Sequence, residues 1–116
     1  MNRKLEGLWQ PLYAELGGEE APADILTRTE VELAAGSYTV RFDGIAADRG
    51  TYLIEAAGLT LRGVTGPNAG RTIPCLCKFV HDTLVICYGL DGTRPEKFAT
   101  TAGGRLYLVT YRRKSS

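Results

Sequence analysis

The chain has 116 residues, which suits a single domain spanning 1–116 and leaves no room for two. Hydrophobic residues make up 44% and charged residues 23%, the balance of a globular domain rather than a disordered segment. With 14 basic and 13 acidic residues the net charge is only +1, which argues against the basic excess from which nucleic-acid binders draw their phosphate affinity.

The N-terminus, Met1-Asn2-Arg3-Lys4, is basic but runs into Glu6, Gly7 and Trp9 rather than an apolar leader segment. No apolar run reaches bilayer-spanning length, so no membrane partner is expected. Three cysteines, an odd number without disulfide-framework spacing, agree with a reducing compartment, and the expectation is a cytoplasmic protein.

Short alternating stretches recur between Gly, Asn and Asp clusters, and no helix of useful length interrupts them. The first strand runs from Gly7 to about Leu16. A polar loop, Gly17-Gly18-Glu19-Glu20, follows, and Pro22 to Leu26 suit one short helical turn. Strands are then expected at Thr29–Leu33, Tyr38–Asp43, Gly50–Glu55 and Leu59–Val64. Ala35-Gly36-Ser37, Ala46–Arg49 and Ala57-Gly58 read as the connections between them.

Alternation is clearest where Tyr38, Val40 and Phe42 share one face and Thr39, Arg41 and Asp43 the other. Thr65 to Gly70 is the densest turn signal. After it comes a hairpin, Thr72–Phe79 and Thr83–Tyr88, turning near Val80–Asp82. A weak strand near Lys97–Thr100 and a last one from Arg105 to Tyr111 complete the series. Short connections between about eight strands predict an all-β, antiparallel, up-and-down barrel, since closure removes exposed edges. A two-sheet sandwich is the alternative.

Several stretches in order resemble a known family. Leu5-Glu6-Gly7-Leu8-Trp9 is similar to the Gly-x-Trp opening of lipocalins and their calycin relatives. With Tyr38-Thr39-Val40, Gly50-Thr51-Tyr52, the Gly66–Thr72 turn, Asp82–Cys87, Arg94-Pro95-Glu96 with Phe98, and the last strand ending at Arg113, the chain resembles the small uncharacterised bacterial lipocalin-like domains of planctomycete-type genomes. The likeness covers nearly the whole chain. It implies a lipocalin-like barrel but transfers no activity. It also implies that Trp9 closes one barrel end with Arg113 packed across its ring, Arg112 being the alternative one register step away.

Chemistry-bearing residues are sparse. The single histidine, His81, falls at a hairpin tip, and Ser37, Ser115 and Ser116 lie in a turn and in the tail, so no Ser–His–acid apparatus is expected. Cys75 and Cys77 share a strand face and Cys87 lies on another strand. Three thiols and a distant histidine supply the four ligands of zinc poorly, and they read as apolar fillers. Glu30 with Glu32, and Glu19 with Glu20, read as solvated sides of a strand and a loop. No phosphate loop or dinucleotide fingerprint is present. The chain is therefore expected to be no enzyme and to carry no metal or cofactor.

What survives is binding within the barrel. An eight-stranded barrel is just wide enough to be filled by side chains or to hold one small ligand. The candidate interior comprises Tyr38, Val40 and Phe42; Tyr52 and Ile54; Leu59 and Leu61; Phe79; Leu84, Ile86 and Tyr88; and Leu106 and Leu108. The tyrosine hydroxyls would orient a small apolar or amphipathic guest, and Gly17 to Leu26 is the natural lid. The alternative is a structural or protein-interaction barrel with a filled core, working through an outer strip such as Leu76, Val85 and Cys87. A monomer or weak homodimer is expected.

Overall fold

The computed structural model describes residues 2–114. In chain order the elements are α1 (Asn2–Leu5), β1 (Gly7–Leu16), β2 (Glu19–Glu20), α2 (Ala23–Thr27), β3 (Thr29–Ala34), β4 (Ser37–Phe42), β5 (Ile45–Glu55), β6 (Gly58–Thr65), β7 (Thr72–Val80), β8 (Thr83–Gly89) and β9 (Leu106–Arg113). Strand β1 and strands β3 to β9 pair with their sequence neighbours, all antiparallel, and β9 returns to pair with β1. This is a closed, up-and-down, eight-stranded barrel, with no free long edge. Strand β2 only extends β1 as a small hairpin.

Turn chemistry enforces this meander. Ala35-Gly36 and Asp43-Gly44 both take positive φ at two successive positions. That geometry matches the right-handed twist of paired strands, and Asp-Gly is among its strongest sequence signals. The Asp43-Gly44 turn corrects the expectation that Ala46–Arg49 is a connection. Those residues belong to β5, which is longer than the alternation suggested.

Lys97–Thr100 also departs from expectation. It forms no strand but lies within the long connection between β8 and β9. This segment wraps the outer face of the barrel and is tied down by Arg94. The Arg94 guanidinium donates to the carbonyls of Leu59 (3.1 Å) and Cys75 (2.8 Å), to Glu55 (3.1 Å) and to Thr60 (2.9 Å). Pro95 is buried, and Phe98 lies under the Lys78 ammonium at 4.4 Å. Its far end is held by Thr100, whose hydroxyl donates to Glu15 and accepts from the Gly18 amide.

One end of the barrel is closed by stacked side chains. Trp9 is 1% exposed and pairs across β1–β9 with Arg113. The Arg113 guanidinium sits 4.3 Å from the Trp9 ring, and Phe79 approaches from the other strands with centroids 6.4 Å apart. Helix α1 plugs the same end: Leu5 is buried and its carbonyl accepts the Trp9 indole N–H at 2.8 Å. The other end carries the longer connections.

Candidate functional site

Inside the barrel, towards the end away from Trp9, lies a cavity of about 250 Å³. Its walls follow from period-two alternation on the eight barrel strands. Pro11, Val31, Leu33, Val40, Leu59, Leu61, Ile73 and Ile86 supply aliphatic surface, and Tyr38, Tyr88, Tyr107 and Tyr111 supply rings. The half-buried Thr29, Asp48, Asn68 and Leu90 complete the lining and mark its mouth.

The polar groups of the cavity form two sets. Deep inside, the Tyr88 and Tyr111 hydroxyls share a hydrogen bond of 2.6 Å, and the Tyr88 and Tyr107 rings lie 5.5 Å apart at 32°. Burial raises the Tyr88 phenol well above its ordinary range, and the neighbouring Tyr111 adds to the effect. At the mouth, Asp48 accepts from Asn68 Nδ2 (2.7 Å) and at longer range from the Tyr38 hydroxyl (3.4 Å). Burial, and secondarily the Asp48 charge, pushes Tyr38 up to about 12. Arg71 braces this set from outside the lining, donating to Asn68 Oδ1 at 3.2 Å and to the Leu90 carbonyl.

Comparison with family models, curated proteins and solved structures returns no match. The site therefore stands on its own geometry.

The residues expected in the interior divide by depth and by face. Tyr38, Val40, Leu59, Leu61, Ile86 and Tyr88 line the cavity. Tyr52 and Leu84 are buried in the core but outside the lining, and Phe79 belongs to the closed end with Trp9. Phe42, contrary to expectation, is not part of the lining; it is half-buried and covered by the Arg28 guanidinium at 4.6 Å. Ile54 has the inward parity of Tyr52 but lies near the β5–β6 turn, where it is 38% exposed.

Leu106 and Leu108 are on the outer face, contrary to expectation. Strand β9 is apolar on both faces, so alternation alone does not say which turns inward. Pairing of Val109 with both Ala14 and Ile86 sends Tyr107, Val109 and Tyr111 inside. The outer face remains apolar because the β8–β9 connection covers it. Cys87, opposite Leu108, is fully buried there, with its thiol directed to the Ala99 carbonyl at 3.8 Å. The outer strip expected from Leu76, Val85 and Cys87 is correspondingly not open: Cys87 is buried and the other two are half-buried.

The lid expectation also changes. No residue of Gly17–Leu26 lines the cavity. Leu26 of α2 is buried where β1 and β3 separate, and Gln10 bridges the gap by donating to the carbonyls of Leu26 and Thr29. Asp48 and Asn68, the hydrogen-bonded polar pair at the mouth, are among the ten lining residues that sequence reasoning missed. The signal for Asp48 was available: Asp48, Gly50 and Tyr52 share one parity once Asp43-Gly44 is taken as the turn.

Cys75 and Cys77 face inward, with burial pushing the Cys75 thiol up to about 12. Among the described residues no three His, Cys, Asp or Glu side chains converge as metal ligands would.

Proposed function

We propose that this protein is a non-enzymatic, lipocalin-like barrel that binds one small, mostly apolar molecule in its interior. The observation that carries the reading is the 250 Å³ cavity behind a polar mouth. A barrel filled by its own side chains leaves no such space. An aliphatic cavity of roughly 150 Å³ is enough to take up benzene, so this one suits a guest of about ten heavy atoms. The few polar groups, clustered at the mouth and in one deep tyrosine pair, are of the kind that orient a guest rather than react with it.

Native mass spectrometry of freshly purified protein, followed by titration with 2-naphthalenemethanol, tests the reading. Saturable uptake by the wild type, abolished by V40F in the cavity wall, is the expected result. A clean mass together with no uptake of the probe would sink it.

A further inference from the structure

We infer that the guest is a small organic cation, an ammonium on an apolar body, seated with its charge at Asp48. This rests on the reading that the cavity binds at all, and it narrows the class of ligand.

Asp48 is the one charged residue of the lining. The β4–β5 register pairs it with Val40 and so sets it on the inward face of β5. Both of its hydrogen-bond donors are neutral: the Asn68 amide at 2.7 Å and the Tyr38 hydroxyl at 3.4 Å. Among the described residues no lysine or arginine lies within ion-pair distance of it, whereas Asp43, Glu30, Glu32 and Glu55 each have such a partner. A carboxylate offers about four lone-pair sites, so two donors leave acceptor capacity facing the cavity.

Arg71 does not supply the missing charge. Its donors go to Asn68 Oδ1 and the Leu90 carbonyl, and it stands outside the lining. It holds Asn68, and Asn68 holds Asp48.

The ligand chemistry follows from what each class would meet. An anionic head would face the like charge of Asp48. A neutral guest would cover the carboxylate and strip its water without returning a counter-charge, which is costly. An ammonium head gains charge-assisted hydrogen bonds to Asp48. The same cavity presents Tyr38, Tyr88, Tyr107 and Tyr111, and aromatic faces attract cations while still packing against an apolar body.

Calorimetric titration with three probes of one shape decides the matter: 2-naphthylmethylammonium, 2-naphthalenemethanol and 2-naphthoate. The expected order is ammonium tightest, by roughly tenfold over the alcohol, with the naphthoate weakest. In D48N the ammonium advantage disappears while alcohol binding persists, and that persistence also reports an intact fold. Equal affinity of ammonium and alcohol for the wild type, or a preference for naphthoate, overturns the inference and leaves the cavity-binding reading standing. Failure of all three probes overturns both.

Discussion

The ring of Tyr38 occupies the space over Gly50, its cross-strand partner on β5. A Cβ built at position 50 would overlap the Arg62 carbonyl oxygen and stand 2.5 Å from Tyr38 Cε2 and 2.8 Å from Cζ. The missing side chain lets the ring lie across the strand and brings the Tyr38 hydroxyl to Asp48 two residues away. Gly50→Ala is therefore expected to cost about 1–3 kcal/mol, the usual penalty for overfilling a packed interior. Urea unfolding measures it, and a loss below the error of that method would show that both the Tyr38 ring and the Arg62 carbonyl give way freely.

At the closed end, Arg113 donates to the carbonyls of Glu6 (2.6 Å) and Lys4 (2.7 Å) while covering Trp9. Two charge-assisted bonds and a cation–π contact predict that Arg113→Ala destabilises by about 1–3 kcal/mol. Lysine cannot reproduce a planar fork that bonds two carbonyls and stacks on a ring, so Arg113→Lys should recover less than half of that loss. Full recovery by lysine in thermal unfolding would reduce the role of Arg113 to bare charge.

The β8–β9 connection depends on Arg94, whose four hydrogen bonds reach β5, β6 and β7. Arg94→Ala should release the segment, leaving buried carbonyls unsatisfied at about 1–3 kcal/mol. Cys87 reports the change: it is covered by this segment, whereas Cys75 lies in the barrel core. Maleimide labelling mapped by mass spectrometry should show faster modification of Cys87 alone. Equal acceleration at Cys75 would mean that the whole barrel had loosened.

Alkaline pH should unfold this protein. Burial raises Cys75 from 9.0 to about 12 and Tyr38 from 10.0 to about 12, with Tyr88 and Tyr111 raised for the same first cause. These groups hold their protons longer when folded, so between the unfolded and folded values the unfolded chain binds fewer protons and stability falls as pH rises. The contribution is fully present below pH 9.0 and is lost progressively up to about 12. Urea midpoints across that window should drop steadily, with the phenolate absorbance of Tyr38, Tyr88 and Tyr111, resolved by single Tyr→Phe variants, appearing together with loss of near-ultraviolet circular dichroism. Phenolate formation at these three residues in a still-folded barrel would contradict the assignment.

The parts legible in the sequence share one property: they are local. Alternation in Tyr38–Phe42 and Thr72–Tyr88 located strands and their inward faces, because side-chain direction has period two whatever the partner strand is. Tyr38, Leu61, Ile86 and Tyr88 reached the cavity wall for that reason. Glycine-rich breaks located most of the turns through backbone freedom at single residues.

What only the tertiary structure decided depends on partners distant along the chain. Leu106 and Leu108 were indistinguishable from Val109 and Tyr111 by hydrophobicity, and register against β1 and β8 chose between the faces. The outer face could be apolar only because Arg94 and Pro95 bring a strandless connection over it. Asp48, on β5, became part of a site through Asn68, 20 positions later, in the loop between β6 and β7. The sequence by itself determined a meander of amphipathic strands; which faces meet, what covers them and which carboxylate looks into the barrel were settled by closure, since closing the sheet sets every register at once.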